Sequence, residues 1–600
     1  MWLLGLQDDG SSLLTRLLRF SGVILAALLA YAFRKGYRVR KKFQALKDQG
    51  IPIMKHSMIL GHLEVVGKLV STLPPDAHGD YLMLKIQENW RELFPQCTKC
   101  PPVAYIDTWP FTAPMVISLS ANVSAQFTQE HSLPKAYEQK HVLYPLTKNR
   151  DLASMEGAEW KVWRKRLSPA FSIQNINSRL PDILEEVEDF ANVLKSKAGK
   201  DGEWGEVFPL GDATANLTLD VIIRLFLFAD VKYWIPITSQ RNIRIHEQWG
   251  RSSPVCAALL DSISRLYFFV NPANFIQYCN PWRHFRLWQN YRTLVKSFTP
   301  ALQERMNKLQ QDRTAKGKTL VDLIVQALEA ERAEQKGAGQ DSRDQSSMEL
   351  DADFLEMAIG QINTFLFAGF DITAATIAWL FRLLSEYPDV LAKLREEHDA
   401  VLSPNAWGAA DVIRENPQLL NQLPYTLAVL RESMRYHTNV GSMRRGEPGF
   451  FLVGPPGSDP GFEGKKLPTE DFIVWDGSYA IHRDPDIWHR AWEFLPERFL
   501  VTDPEDPLYP PPNGWRSFEA GPRVCIGQHL ATVEIKLAMV LVARCFDVEC
   551  AWEEWDQING TTNSEKARPT VWGDRCYQVG TDSPPRVKNG MPVHVRTRGL

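Results

Sequence analysis

The stretch Phe518-Glu519-Ala520-Gly521-Pro522-Arg523-Val524-Cys525-Ile526-Gly527 decides the fold of this 600-residue chain. It places one cysteine between two glycines and two residues after an arginine. Glycine lets the backbone take positive φ and approach a flat ligand closely, while arginine can neutralise an acidic group. The residues that follow look like a helix start, whose amides and positive dipole end would stabilise an anionic sulfur. The loop therefore predicts a thiolate that serves as a metal ligand.

The pattern Phe-x-x-Gly-x-Arg-x-Cys-x-Gly resembles the haem-binding loop of cytochromes P450 at all of its defined positions. The resemblance implies that Cys525 ligates haem iron and that Phe518, Arg523 and Gly527 contact the haem. A thiolate ligand pushes electron density onto the iron and favours O–O cleavage. The expected fold class is mainly α with small β-sheets, that is, a cytochrome P450 fold with an N-terminal transmembrane anchor.

Two further patterns fit residues that would bind the haem propionates. Trp160 and Arg164 are four residues apart and share one face of a predicted helix. Alone, this spacing is common and fits core packing with a surface arginine, but the Leu-Ser-Pro-Ala-Phe that follows strengthens its resemblance to the P450 motif. Arg445 is predicted as another propionate ligand, with its neighbour Arg444 as the rival for that role. An indole N–H and guanidinium groups are suitable donors to a carboxylate.

A structural brace is predicted behind the cysteine. Glu432 and Arg435 have the Glu-x-x-Arg spacing, one helical turn apart. In the P450 family the matching pair is buried and joins a downstream arginine, which here would be Arg498. This set implies a structural role on the side of the haem where Cys525 lies.

A long buried helix is predicted from Asp353 to Tyr387, because the segment is apolar and lacks proline until Pro388. Its Ala-Gly-Phe-Asp-Ile-Thr segment resembles the oxygen-handling motif of P450s, and Asp371 and Thr373 are the predicted catalytic residues. The family's relay threonine directly follows the acid, whereas this chain has Ile372, which cannot hydrogen-bond. Thr373, Thr376 or an ordered water remain as alternative proton donors.

Four positions on the long helix are the predicted substrate-facing residues. They are Thr364, Phe367, Ala368 and Ile372. Together they outline an apolar pocket.

The N-terminus carries an apolar run through Phe33, followed at once by six basic residues up to Lys42. Counted from Leu13, the run approaches the roughly 20 residues that span a bilayer, and the basic flank favours the cytoplasmic side. We therefore predict residues 1–45 as a membrane anchor with its basic flank and residues 46–600 as the haem domain. The alternative is a cleaved secretory signal. The predicted location is the endoplasmic reticulum membrane, single-pass, with a cytosolic catalytic domain.

Composition narrows the possible partners. The 68 basic and 71 acidic residues give a net charge of −3, so we expect no nucleic-acid partner. Eight scattered cysteines do not form a disulfide framework, and the single Cys97-x-x-Cys100 pair has no companion for a zinc site.

The predicted function follows from the resemblance. It implies a haem-thiolate monooxygenase that acts on an apolar small molecule, of a fungal secondary-metabolism type. Its electrons would come from a separate NADPH-cytochrome P450 reductase, because the chain lacks a flavin domain. A P450 that rearranges peroxides or acts as a peroxygenase is the alternative, because some such relatives lack the relay threonine. A haem protein that senses or carries without turnover is a third.

Overall fold

The computed structural model describes residues 13–226, 254–266, 278–311, 319–336, 352–439, 441–560, 569–580 and 585–599. Most of these residues are helical, and short strands form small sheets beside the helices, which confirms the prediction of a mainly α fold with small β-sheets. The α-helices within the described residues are Leu13–Asp48, Leu63–Val70, Tyr81–Glu88, Trp90–Leu93, Ala121–Ala125, Tyr137–Thr147, Gly157–Leu167, Ile173–Ser178, Leu180–Lys197, Leu210–Phe226, Pro254–Ile263, Pro281–Gln311, Leu320–Lys336, Ala352–Glu386, Pro388–Leu402, Ala409–Glu415, Pro424–Tyr436, Ser478–Ile481, Gln528–Ala543 and Trp552–Ile558.

The strands of the described residues form four small sheets. Their bounds are β1 Val103–Ile106, β2 Met115–Ser118, β3 Phe208–Pro209, β4 Met443–Arg445, β5 Phe451–Val453, β6 Lys466–Pro468, β7 Ile473–Asp476, β8 Phe546–Cys550, β9 Gln578–Val579, β10 Arg586–Val587 and β11 Pro592–Thr597. The orders are β1-β2-β7-β4, β3-β11-β8, β5-β6 and β10-β9. Strand β2 pairs with β7 in parallel, and the remaining pairs are antiparallel.

The helix Ala352–Glu386, here called the long helix, matches the predicted segment and is followed at once by the helix that begins at Pro388. Proline cannot continue a helix but suits the first turn of the next one. Within the described residues it is the one helix that is long and apolar enough to cross a bilayer, but 78% of its most apolar stretch is buried inside the protein. It is therefore the central core helix and positions the site described below.

The N-terminal helix runs without a break from Leu13 to Asp48. Its apolar residues between Phe20 and Phe33 are largely exposed, whereas Phe43 and Leu46 are buried in the domain. The predicted domain boundary after residue 45 thus falls within this helix and remains a prediction, as does the anchor itself.

The end of the N-terminal helix is fixed to the sheet by a buried ion pair. Arg40 pairs with Asp107, and both side chains are nearly inaccessible to solvent. Asp107 also contacts His56 at 2.9 Å, and Phe43 stacks on His56 with ring centroids 4.9 Å apart. One residue of the predicted basic flank therefore serves packing instead of facing a membrane.

Candidate active site

The cysteine loop, residues Phe518–Gly527, is a tight turn in front of the helix Gln528–Ala543. The Cys525 N–H donates to the Phe518 carbonyl at 2.9 Å. Gly521 has a φ of +83°, and a Cβ there would lie 2.3 Å from the Thr128 carbonyl oxygen. A side chain at residue 521 would therefore force the loop away from its neighbour, which explains the glycine.

The Cys525 side chain is reachable by solvent, although it lies deep within the fold. This burial raises the pKa of the thiol, while the N–H groups of Gly527 and Gln528 and the charge of Arg164 act to lower it. The sulfur thus faces hydrogen-bond donors and a cation that stabilise an anion, and a metal ion would complete this stabilisation. The arrangement suits a thiolate ligand to a metal.

The predicted pair Trp160 and Arg164 lies on the helix Gly157–Leu167, against the cysteine loop. Arg164 Nη2 donates to the Val524 carbonyl at 2.8 Å. The Arg523 guanidinium lies 4.1 Å from the centroid of the Trp160 ring, within cation–π distance. Arg523 also donates to the Met155 carbonyl at 2.9 Å. The fold therefore brings Trp160, Arg164 and Arg523 together beside Cys525.

The two neighbouring arginines of strand β4 lie on opposite faces of the strand, as its period of two requires. Arg444 is fully buried, donates to the Leu133 carbonyl at 3.2 Å and forms an ion pair with Glu519 of the cysteine loop. The Arg445 side chain instead lies over the Tyr137 ring, 4.8 Å from its centroid. The rival residue Arg444 is thus the one that faces the cysteine loop, while cofactor binding by Arg445 remains a prediction without a supporting contact.

A buried charge pair beside the loop was missed by the sequence analysis. Lys135 Nζ lies 3.5 Å from the Glu519 carboxylate and 3.2 Å from the Ser442 hydroxyl. Burial, partly offset by Glu519, lowers the pKa of Lys135 to about 8. Burial acts to raise the pKa of Glu519, but Lys135 and Arg444 hold it below its usual value. Glu519 stands at a variable position of the motif, and no pattern in the sequence singles out Lys135.

The long helix has one accessible stretch in an otherwise buried run. Between Met357 and Phe381 its residues are buried, except for Phe367, Gly369 and Ile372, which are partly accessible, and Ala368, which is exposed. Three of the four predicted substrate-facing residues belong to this stretch. Thr364, the fourth, is buried one turn earlier. The stretch forms an apolar wall with small residues at its centre.

The predicted catalytic residues Asp371 and Thr373 are buried, unlike the accessible residues beside them. Asp371 is buried, and both of its carboxylate oxygens accept hydrogen bonds from Arg586 of strand β10. Burial raises the pKa of Asp371, and Arg586 counteracts that rise. Thr373 is also buried.

The hydroxyl of Thr376 is held by two neighbouring groups. It donates to the Ile372 carbonyl at 2.8 Å and accepts from Asn439 at 2.7 Å. This is the backbone contact that threonines commonly make within helices. The Thr376 side chain is therefore engaged in the fold, which weakens it as an alternative proton donor.

The brace behind the cysteine is present as predicted. Glu432 accepts two hydrogen bonds from Arg435 at 2.8 Å each and one from Arg498 at 3.1 Å, and all three side chains are buried. Arg435 further donates to the carbonyls of His482 and Ala491. The three side chains thus tie the helix Pro424–Tyr436 to the segment that leads to the cysteine loop.

The residues around Cys525 fit a haem group. A soft sulfur donor suits iron, and buried or half-buried cations at Arg164, Arg444, Arg523 and Lys135 could neutralise propionates. The chemistry of this donor set matches what the cysteine loop alone predicted.

A cavity of about 370 Å³ also borders Cys525. Its lining comes from the helix Pro424–Tyr436, the cysteine loop and the start of the helix Gln528–Ala543, and includes Arg431, Trp515 and His529. It lies on the side of the loop that faces these two helices.

Comparisons with known proteins agree with this geometry. A family model described as cytochrome P450 matches residues 79–566. Cytochrome P450 monooxygenase polC of Polytolypa hystricis is 34% identical over 93% of this chain and 91% of its own length. Cytochrome P450 monooxygenase acrF of Aspergillus aculeatus is 28% identical over 88% of this chain and 99% of its own length.

Structural similarity supports the same fold. The crystal structure of the cytochrome P450DA heme domain superposes with a TM-score of 0.62 at 18% identity, covering 91% of this chain and 97% of that one. The structural similarity is evidence for the fold alone. The family model and the similarity to polC are evidence for the family to which the chain belongs. The chain belongs to the cytochrome P450 family, is an enzyme of the monooxygenase class and binds haem.

Proposed function

We propose that this protein inserts one oxygen atom from O2 into an apolar small molecule, using electrons from a separate NADPH-cytochrome P450 reductase. The observation that carries the proposal is the accessible apolar stretch Phe367–Ile372 on a helix that is otherwise buried. A bound haem supplies the activation of dioxygen. The chain's own residues hold the sulfur ligand, exclude water and orient the substrate.

The substrate is proposed to be an apolar natural product of fungal secondary metabolism. Phe367, Ala368 and Ile372 offer carbon surface only, so binding there gains free energy by removing apolar surface from water, about 25 cal/mol per Å². The similar monooxygenases polC and acrF come from fungi, which supports the fungal assignment.

Proton supply is proposed to involve Asp371 and Thr373. Asp371 is the one carboxylate in the stretch 364–376 and precedes the accessible Ile372 directly. A carboxylate there can hold and release a proton through an ordered water, which does not require direct contact with the substrate. Thr373 follows Ile372 and could order such a water.

The reductase is proposed to dock on the side of the cysteine loop. Lys161 and Lys165 are exposed on the helix whose Arg164 contacts the loop. Arg431 borders the cavity that reaches Cys525. Exposed cations in this place would steer an acidic partner surface towards the haem. The double substitution Lys161→Glu and Lys165→Glu should raise the reductase concentration needed for half-maximal NADPH oxidation, at unchanged haem content.

The N-terminal helix is proposed as a single-pass anchor in the endoplasmic reticulum membrane, with the catalytic domain in the cytosol. Its residues from Phe20 to Phe33 expose large apolar side chains, and the basic residues that follow favour the cytosolic side. The rigid packing of Phe43 would then hold the domain at a fixed angle to the bilayer.

The test uses membranes from yeast that contain the full chain and a reductase, with apolar metabolite extract from the source fungus as substrate. We expect NADPH and oxygen consumption together with a new oxygenated product. A Cys525→Ala variant serves as the control.

Product formed from a lipid hydroperoxide without reductase, and none from NADPH, would contradict the proposal and establish the peroxide-driven alternative. Ile372 at the relay position and the engaged hydroxyl of Thr376 are the observations that favour that second candidate.

A further inference from the structure

Asp371 of the long helix is joined to the C-terminal hairpin, which consists of strands β9 and β10. Arg586 Nε donates to one carboxylate oxygen of Asp371 at 3.0 Å, and Arg586 Nη2 donates to the other at 3.2 Å. The two residues are 215 positions apart in sequence. This bidentate geometry fixes the plane of the carboxylate as well as its position.

The pair spans the boundary between the interior and the solvent. The Asp371 side chain is 5% exposed, whereas the Arg586 side chain is 44% exposed. An ion pair with one buried carboxylate and one hydrated cation avoids most of the desolvation cost of a fully buried pair. Removal of Arg586 would leave the carboxylate buried without its counter-charge.

The hairpin is held at other points as well. Arg586 pairs with Val579 and Val587 pairs with Gln578 in the antiparallel register. Gln578 donates to the Thr438 carbonyl at 3.0 Å, and Lys588, just beyond β10, forms an ion pair with Asp76. The hairpin therefore does not need Arg586 to stay in place, so the arginine is available for a more specific role.

We propose that Arg586 is the positioning residue of Asp371: it holds the carboxylate beside the accessible residues of the long helix and thereby controls the proton supply that the proposed function assigns to Asp371. This inference rests on the proposed function. The inference gives the C-terminal hairpin a role in proton supply. None of the sequence motifs described above includes a residue of this hairpin. Arg586 also counteracts the rise that burial causes in the pKa of Asp371.

The substitutions follow from the contacts. Arg586→Gln removes the positive charge. Arg586→Lys keeps the charge but cannot donate two parallel hydrogen bonds to the carboxylate. Lys588→Gln is the matched control, because Lys588 follows the same strand and pairs with Asp76, away from the long helix. Asp371→Asn, alone and combined with Arg586→Gln, tests whether the arginine acts through the carboxylate.

The first readout needs no substrate. In membranes with reductase, NADPH and O2 alone, the enzyme can release H2O2, with one NADPH and one proton consumed per O2, or two water molecules, with two NADPH and two protons consumed. We expect Arg586→Gln to change the ratio of H2O2 to NADPH at least twofold, Arg586→Lys to restore most of it, and Lys588→Gln to leave it unchanged. In the Asp371→Asn background, Arg586→Gln should have no further effect.

The second readout does not depend on turnover. Hydrogen–deuterium exchange of the full chain, followed by mass spectrometry, should show faster exchange in residues 368–375 for Arg586→Gln but not for Lys588→Gln. An unchanged H2O2 ratio in Arg586→Gln, with wild-type oxygen consumption intact, would overturn the inference, and so would an equal effect of Lys588→Gln. A wild-type protein that consumes no NADPH would instead refute the proposed function, and unchanged exchange in residues 368–375 would then overturn the inference separately.

Discussion

The buried brace offers the sharpest test of the structure, through the substitution Glu432→Gln. Glu432 is fully buried and accepts hydrogen bonds from Arg435, from Arg498 and from the Leu495 N–H. The amide removes the negative charge and turns one acceptor into a donor, so two guanidinium groups stay buried with carbonyl partners only. Removing one partner from a buried ion pair costs about 3–5 kcal/mol of unfolding free energy.

A chain of this size is expected to unfold irreversibly, so the rate of thermal inactivation is the suitable measurement. If the brace is already broken in the transition state of unfolding, about 3 kcal/mol corresponds to inactivation roughly 100-fold faster. The spectrum of the reduced, carbon-monoxide-bound protein reports the intact thiolate over time.

The control for this prediction is Lys393→Gln. Lys393 pairs with Glu497 at 2.6 Å, but its side chain is 56% exposed. An exposed pair contributes about 0–1 kcal/mol, so this variant should inactivate within about fivefold of the wild-type rate. Equal inactivation rates for Glu432→Gln and the wild type would refute the reasoning, because they would mean that the brace does not break before inactivation or that the two arginines need no carboxylate.

Three other predictions follow from individual side chains. Cys525→Ser should fold but lose the thiolate signature of the carbon-monoxide spectrum; retention of that signature would assign the ligand to another residue. Burial, with a smaller effect of His56, lowers the pKa of His62 to about 3, so the unfolded chain binds a proton below about pH 6.5 that the folded chain does not. The free energy of unfolding should therefore fall by up to about 1.4 kcal/mol per pH unit between pH 6.5 and 3. Thermal inactivation should accordingly become faster as the pH falls through this range, and His62→Gln should flatten that pH dependence. Ile372→Thr should leave the fraction of NADPH that yields product unchanged, because proton supply through Asp371 needs no hydroxyl at residue 372; a higher fraction would show that proton supply limits the native enzyme.

The parts of the site that the sequence predicted are those in which a short motif contains all of its own partners. The cysteine loop is an example, since Gly521, Cys525 and the following helix start lie within ten residues of one another. The long helix is another, because its C-terminal end is marked by a proline and its burial by continuous apolar composition. The spacing of Glu432 and Arg435 likewise fixes their contact within one turn.

The parts that the sequence could not predict depend on partners that are distant in the chain. Arg444 and Arg445 are chemically equal, and only the register of β4 decides which faces Glu519. Arg40 stands among six basic residues that resemble a membrane flank, yet Asp107, 67 positions later, draws it into the core. A charge pattern shows where charges occur, but not which of them find a buried counter-charge.

The same limit applies to the oxygen side of the site. In the sequence, Ile372 interrupts the expected proton relay, and Thr373 and Thr376 are the nearby hydroxyls that could replace the missing threonine. In the structure, the Thr376 hydroxyl is engaged by Asn439 and the helix backbone, whereas Asp371 pairs with Arg586, 215 positions later in the chain. A carboxylate that is oriented by an arginine and connected to solvent through it needs no adjacent hydroxyl to exchange protons with water. The loss of the threonine and the presence of Arg586 can therefore belong to one arrangement, in which proton access is set by the hairpin instead of by the residue after the acid.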